Sequence, residues 1–332
     1  MRISTVIPAY NRADLIGETL RSVLGQDRPP DEVIVVDDGS TDDTADVIAA
    51  YGKAVTLIRQ ANAGAGAARN AGVAASTGNV VHFMDSDDLL VPGFYASSLA
   101  AIERGADFTY GPWLKTRFVG HELHHEPVVL QQGAIAASAP LDRLMLLVDW
   151  MTLFQCCFLR RELIDRAGPF RSDLKPSEDT ELFYRVARHA KTASHVPDAL
   201  LIYRLHPENQ VSAQDPPKLL IDRANLWLVL SEHLAARHDL DEATRRAFRR
   251  KKAQVARAVR PIDPDLAEKL GADLGTLDRL TVRPRELAHR IGARLRVELL
   301  HDPYPPVFAT GPVTSGQRAL IERMGYSLEL AK

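Results

Sequence analysis

The first hundred residues alternate short β-branched runs with amphipathic segments, and this alternation limits the possible folds more than any other feature of the chain. Ile3 to Ile7, Glu32 to Val36, Val55 to Ile58 and Asn79 to Met84 read as strands, with helices at Ala13 to Leu24, Thr41 to Tyr51 and Ala65 to Ala75 between them. Each helix has the length of a crossover joining parallel strands. The expected architecture is α/β, with a mostly parallel central sheet flanked by helices. Ligands of such sheets bind outside the carboxyl ends of the strands. The residues at those positions are unusually polar: Pro8-Ala9-Tyr10-Asn11, Asp37-Asp38-Gly39-Ser40 and Asp85-Ser86-Asp87-Asp88.

With 332 residues, 45% of them apolar, the chain can bury one large core and still carry an appendage. A less regular stretch runs from Pro92 to about Gln214, containing a helix at Asp179 to Ala190 and a strand at Leu200 to Arg204. From Pro216-Pro217 onward the pattern is helical, most clearly at Leu219 to Ala236 and Glu242 to Val259. The expected division is a catalytic unit over 1–215, with halves 1–92 and 93–215, followed by a C-terminal helical appendage over 216–332.

The formal charge of −2 gives no bulk reason for a nucleic-acid partner. Cys156 and Cys157, adjacent in an apolar run, suit neither a disulfide framework nor a spaced zinc site, and so point to a reducing compartment. Met1-Arg2 runs straight into the first strand, with no room for a secretory leader. The most apolar window, Leu141 to Leu159, is broken by Asp142, Arg143 and Asp149, short of the ~18 apolar residues of a membrane span. A cytoplasmic protein is expected.

Asp85 and Asp87 alternate, and in an extended segment alternate side chains point the same way, so both carboxylates would face one ion. Mg²⁺ or Mn²⁺ is held by such pairs, with phosphates and water completing the shell. Turn capping is the competing explanation. Against it, three carboxylates within four residues repel one another unless a cation neutralises them. Asp37 and Asp38 read first as turn chemistry, with Ser40 and Asp43 forming a loose capping box. Tyr10 is either a core or rim aromatic or a stacking platform for a base. Arg69 by itself reads as a solvated helix residue, and the surrounding glycines, which follow the third strand, make a weak dinucleotide fingerprint. Asp179 precedes Leu182 and Phe183 by three and four residues, which puts it on their inward side; helix-dipole stabilisation or chemistry would explain it. Glu181 and Arg185 read as an exposed i,i+4 pair.

Taken together, these segments resemble the family 2 glycosyltransferases of the GT-A fold, whose members open with a strand leading into Pro-Ala-Tyr-Asn. Val36-Asp37-Asp38-Gly39-Ser40, Asn62-Ala63-Gly64 through Ala68-Arg69-Asn70, and Met84-Asp85-Ser86-Asp87-Asp88 occur in the family's order, and the likeness extends to about Ser212. Roughly the last third of the chain lies outside it. By this resemblance Pro8, Tyr10 and Asp38 would contact the base, with Asp38 accepting a hydrogen bond from a uracil N–H. Asn11, Arg69, Asp85 and Ser86 would complete the nucleotide-sugar site. Asp85 and Asp87 would form the Asp-X-Asp motif for Mn²⁺ or Mg²⁺, supported by Asp88, and His206 would be a metal ligand or phosphate contact. Asp179, in the family's Glu-Asp element, would be the general base.

The implied function is inverting transfer of a sugar, from a UDP-sugar first and with GDP or dTDP open, to a hydroxyl of a glycan or lipid-linked acceptor in cell-surface or exopolysaccharide-type glycan synthesis. The alternatives are a sugar nucleotidyltransferase and a non-catalytic nucleotide-sugar-binding module. No Gln-X-X-Arg-Trp motif is present, which argues against the processive synthases of the same family. The arginine-rich span from Arg245 to Arg260 is either a solvated helix face or a peripheral contact with anionic membrane. Trp113, Trp150 and Phe154 either line an acceptor cleft or belong to the core.

Overall fold

The computed structural model describes residues 1–125, 129–130, 154–174, 177–205, 216–240, 242–272 and 311–330. The chain forms two compact units: Met1–Leu141 with Met151–Gln210 and Phe308–Lys332, and Asp142–Trp150 with Val211–Val307. His206 and Trp150 lie outside the described residues.

The larger unit begins with the expected alternation: β1 (Ile3–Ala9), α1 (Ala13–Leu24), β2 (Glu32–Asp37), α2 (Thr44–Ala49), β3 (Thr56–Arg59), α3 (Ala65–Ala75) and β4 (Val80–Phe83). The four strands pair in parallel in the order β4-β1-β2-β3. Every residue of β1 and β4 is buried, as required of parallel strands covered on both faces. On α1, Ile16, Leu20 and Val23 bury one stripe at helical spacing, each worth ~1.5–3 kcal/mol when fully removed from water. α3 packs close to β1 at Gly72, where an added Cβ would strike Val6.

Past β4 the sheet continues through β9 (Cys157–Arg160), β6 (Phe108–Tyr110) and β10 (Ala193–His195). β9 runs antiparallel to both β4 and β6, and the 3₁₀ turn Phe154–Cys156 precedes it directly. That insertion carries Gln155 to the carboxyl end of β4. The helices here are α4 (Phe94–Glu103), α5 (Arg161–Ala167) and α6 (Glu178–His189). A second sheet holds β5 (Leu89–Leu90), β7 (Trp113–Val119), β8 (Glu122–His125), β11 (Leu201–Leu205) and β12 (Ser327–Leu330), in the order β12-β8-β7-β11-β5.

Two features differ from expectation. α2 starts at Thr44, because Asp37 Oδ1 accepts the Ser40 N–H at 3.0 Å and closes a turn first; Asp43, the N-cap, makes no side-chain cap bond. The Ser40–Asp43 capping box therefore does not form. The end of the chain is also not part of a helical appendage. Thr314 and Gln317 make a reciprocal capping box that starts α10 (Ser315–Arg323), and β12 then pairs parallel with β8. Ile321 and Leu328 share a core cluster with Leu114 and Leu123.

In the smaller unit, α7 (Pro216–Ala235), α8 (Glu242–Val259) and α9 (Pro264–Gly271) pack on one another. Trp227 meets Phe248 at 5.0 Å between ring centroids. Asp263 caps α9 by accepting from Leu266 N, with Pro264 in the first turn. The basic face of α8 is thinner than its composition implies: Arg246 and Arg250 are exposed, whereas Lys251 and Lys252 are buried. Among the described residues no helix is long and apolar enough to cross a membrane.

Candidate active site

The site residues gather where β1, β2 and β4 end. After β1, Asn11 takes a left-handed backbone (φ 50°), which Asn tolerates better than most residues. Its Oδ1 accepts from Thr41 N at 2.8 Å, and its own N–H donates to Ser40 Oγ at 3.0 Å. Asn11 thus ties the first two strand ends together. Pro8 is buried, while Tyr10 is 44% exposed and lies at the rim.

Asp37 and Asp38 are both buried. Asp37 accepts from Arg59 Nε at 3.0 Å in addition to Ser40 N. Asp38 accepts from Gln60 Nε2 at 2.7 Å, Ala63 N at 2.9 Å and Gly64 N at 2.7 Å. Its carboxylate holds the 60–64 loop in place, leaving about one of its roughly four lone-pair sites for anything else. Gly39, at φ 78°, lets the chain turn away directly afterwards.

The third strand end is different. Asp85 to Asp88 form a turn between β4 and β5, not the extended segment expected from alternation. Asp85 Oδ1 accepts from Arg69 Nη2 at 2.8 Å and its Oδ2 from Gln155 Nε2 at 3.0 Å. Asp87 Oδ2 accepts from Arg12 Nε at 3.1 Å. Asp88 uses both oxygens internally, one on Arg204 N at 2.8 Å and the other on Gln155 Nε2 at 3.1 Å. Ser86 is buried within the turn. Burial, followed by the neighbouring Asp87 and Asp85 charges, pushes the Asp88 carboxyl well above the usual carboxylate range. Burial also raises Asp85, with Asp87 adding to the rise and Arg69 opposing it.

These carboxylates suit a hard cation in chemistry and in access: Asp85 and Asp87 are 32% and 19% exposed, and a divalent charge would relieve their mutual repulsion. Among the described residues no group of three or more His, Cys, Asp or Glu side chains is gathered to hold an ion, and Mg²⁺ and Mn²⁺ sites of this kind draw much of their shell from substrate phosphate and water.

Arg69 joins α3 to the Asp85–Asp88 turn and to the start of α6. Buried on α3, it reaches Asp85 with Nη2 and Glu178 Oε1 with Nη1 at 3.2 Å. The structure therefore makes it a buried bridge and not a solvated helix residue. Burial disfavours its charge, but Asp85, Glu178 and Asp179 outweigh that and hold it more firmly protonated than usual. At the start of α6, Glu178 is the buried member of the Glu-Asp pair and Asp179 is half-buried, a reversal of the inward placement read from helical spacing. Burial raises the Glu178 carboxyl, with Asp179 and Asp85 contributing; its Oε2 has no hydrogen-bond partner. Asp179 Oδ1 accepts from Thr180 N at 2.6 Å. Glu181, buried, and Arg185, half-buried, pair at 2.7 Å and are not an exposed pair, and Arg185 also donates to Pro169 O at 2.8 Å. Phe154 belongs to an aromatic core, stacked on Phe83 at 5.1 Å.

The structure thus brings Asp85, Ser86, Asp87, Arg69 and Asp179 together and sets Asn11, Tyr10 and Asp38 along the adjoining strand ends. Sequence reasoning missed Arg12 and Gln155, whose contacts with the Asp85–Asp88 turn span 75 and 70 residues of chain.

Residues 4–167 match the family model described as glycosyl transferase family 2. This part of the chain belongs to that family. A 96-residue stretch is 45% identical to an uncharacterized glycosyltransferase of Nostoc sp., covering 28% of this chain and 30% of that protein. The matched stretch spans only about a third of the length of the first two curated relatives. Among solved structures, S. aureus TarS 1-349 in complex with UDP-GlcNAc superposes with a TM-score of 0.57 at 21% identity, covering 84% of this chain and 78% of that one. The mannosyltransferase PcManGT from Pyrobaculum calidifontis, in complex with GDP-Man and Mn²⁺, gives 0.52 at 19% identity, covering 98% and 86%. These likenesses identify the fold as GT-A.

Proposed function

We propose that the chain is an inverting glycosyltransferase that takes a sugar from a nucleotide-sugar, UDP-linked in the first instance, and places it on a hydroxyl of a glycan or lipid-linked acceptor in cell-surface or exopolysaccharide-type glycan synthesis. The observation that carries this reading is the Arg69 bridge. It sets Asp85, at the end of a strand where a diphosphate would lie, beside the Glu178-Asp179 pair that opens the acceptor half.

In this reading the base rests against Tyr10 and Pro8, in the frame that Asn11 and Asp38 stiffen. Asp85 and Asp87, within the turn that Ser86 and Asp88 complete, would hold Mn²⁺ or Mg²⁺; that ion would neutralise charge on the departing diphosphate. Asp179, half-buried and open to an incoming hydroxyl, takes the acceptor proton as the oxygen attacks the anomeric carbon from the face opposite the leaving group. Configuration at that carbon inverts. Arg69 stays protonated beside the developing negative charge. His206 belongs to the same reading as a ligand or phosphate contact.

A cytoplasmic location is part of the proposal, in keeping with Cys156 and Cys157 being buried side by side rather than serving a disulfide framework. So is peripheral contact with anionic membrane through the exposed Arg246 and Arg250 of α8. Because β12 belongs to the larger unit, the membrane contact is tested with an R246E/R250E variant and not by truncation. Salt-sensitive sedimentation with anionic liposomes that this variant loses supports the contact, and equal binding to neutral vesicles refutes it.

The function itself is tested by thermal-shift screening of UDP-, GDP- and dTDP-sugars with and without Mn²⁺, since a ligand specific for the folded state raises stability by mass action. A metal-dependent shift with one nucleotide class, followed by release of that nucleoside diphosphate on transfer, supports the reading. Release of pyrophosphate from a nucleoside triphosphate would make the chain a nucleotidyltransferase, and binding without turnover of any acceptor would make it a binding module.

A further inference from the structure

A chain of buried hydrogen bonds runs from β1 to the Asp85–Asp88 turn, and its polarity follows from which groups can donate. His82 on β4 is fully buried, packed at 5.0 Å from Phe158 and 5.3 Å from Phe94. Its Nε2 lies 2.8 Å from the Gln155 carbonyl oxygen and its Nδ1 lies 3.0 Å from Tyr95 Oη. A carbonyl only accepts, so Nε2 carries the proton and donates. In a neutral imidazole Nδ1 then accepts, which makes Tyr95 the donor to it. Burial pushes the His82 pKa down to about 4, so the ring is neutral near pH 7. Tyr95 Oη is left to accept from Thr5 Oγ1, 2.8 Å away. Each link is assigned without conflict, and the last leaves the Gln155 backbone pinned.

The side chain of the same residue faces the turn. Gln155 Nε2 lies 3.0 Å from Asp85 Oδ2 and 3.1 Å from Asp88 Oδ2. An amide nitrogen has two hydrogens, so one goes to each carboxylate. Two acidic side chains that would otherwise repel are held side by side by a neutral group that adds no charge of its own. Asp88, with its second oxygen on Arg204 N, is buried with both oxygens engaged inside the protein, whereas Asp85 and Asp87 stay partly exposed.

We propose that Gln155 is a positioning residue for the donor site: its amide fixes the orientation of the Asp85 carboxylate, which would hold the divalent cation, and ties the buried Asp88 beside it, with the Thr5–Tyr95–His82 chain fixing Gln155 in turn. This rests on the donor-site reading above. Outer partners of ligating carboxylates typically change metal affinity by ~10–100-fold when removed. A residue that merely filled space would change stability instead.

The test uses the full chain, with Mn²⁺ titrated in the presence of UDP and the melting temperature measured without metal. Gln155→Leu keeps the bulk and removes both donors; its Mn²⁺ affinity should fall by ~10–100-fold. Wild-type Mn²⁺ affinity in a folded Gln155→Leu protein, whatever its melting temperature, overturns the inference. If Gln155→Leu does not fold, Tyr95→Phe, which removes one oxygen and leaves the ring, is read in its place. A weaker Mn²⁺ affinity then supports the inference and an unchanged one overturns it. A wild-type protein that binds UDP equally well with Mn²⁺ and with chelator sinks the donor-site reading itself and this inference with it; a metal-dependent wild type beside an unaffected Gln155→Leu sinks only the inference.

Discussion

At the ends of β2 and β4 the chain makes two outwardly similar turns, each beginning with closely spaced aspartates, and Asp38 in the first is satisfied in the opposite way from Asp85 and Asp87 in the second. Asp38 is surrounded by donors without charge, two backbone N–H groups and an amide. Its negative charge is spread over the loop that it organises. Asp85, Asp87 and Asp88 crowd one another: Asp85 and Asp87 meet arginines that themselves come from distant elements, and burial together with mutual repulsion raises Asp85 and Asp88. A turn of the first kind is complete within the protein. A turn of the second kind carries charge that the proposed cation and diphosphate would rearrange, so aspartates after a strand become informative only once their donors are known.

The comparison breaks most visibly at Asp179, whose charge reaches Arg69, Asp85 and Glu178. Asp179→Asn keeps size and removes the proton acceptor. Turnover should fall by ~10²–10⁴ with donor affinity little changed. A structural Asp179 predicts only the ~0.3–1 kcal/mol of a helix-end charge. Turnover, melting temperature and donor affinity measured on one preparation separate the two, and near-normal turnover would move the role to Glu178.

Asp38→Ala sharpens the contrast from the other side. It leaves two N–H groups and an amide without their acceptor, and the cost should be about 3 kcal/mol of stability, with or without divalent ion. Denaturant unfolding in chelator and in Mn²⁺ checks this. A loss confined to the metal-bound protein would mean that the two turns are not different in kind.

The smallest effect concerns the brace behind the second turn. The folded pKa of His82 lies near 4, below its ordinary 6.5. The unfolded chain therefore binds the proton first as pH falls, and the stability that His82 contributes is fully present above pH 6.5 and lost on the way down to about pH 4. The loss should be no more than about 3 kcal/mol. His82→Gln should flatten the stability profile across that window relative to wild type; parallel profiles would show that His82 is not what titrates.

Much of this was legible from local pattern. The strands β1 to β4 and helices α1 and α3 follow from period and punctuation, and the polar strand ends point to the candidate site. What the sequence hid depends on contacts distant along the chain. Gln155 sits beside two cysteines in an apolar run, and only the antiparallel entry of β9 beside β4 shows that it faces aspartates. Helical spacing put Asp179 inward, but Arg69, more than a hundred residues away, draws Glu178 in instead. The return of β12 to β8 is another long-range pairing with no local signal, carried by Leu328 and Ile321 joining an existing core cluster.

The claim underlying the whole account is that the Asp85–Asp88 turn becomes a diphosphate site when a divalent cation is present. Titration calorimetry of UDP into wild-type and Asp87→Ala protein, in Mn²⁺ and in excess chelator, tests it directly. The account predicts binding by wild type in Mn²⁺, weakened by chelator and by Asp87→Ala alike, with the variant no longer responding to the metal. UDP affinity that is the same in Mn²⁺ and in chelator, and unchanged by Asp87→Ala, would contradict it.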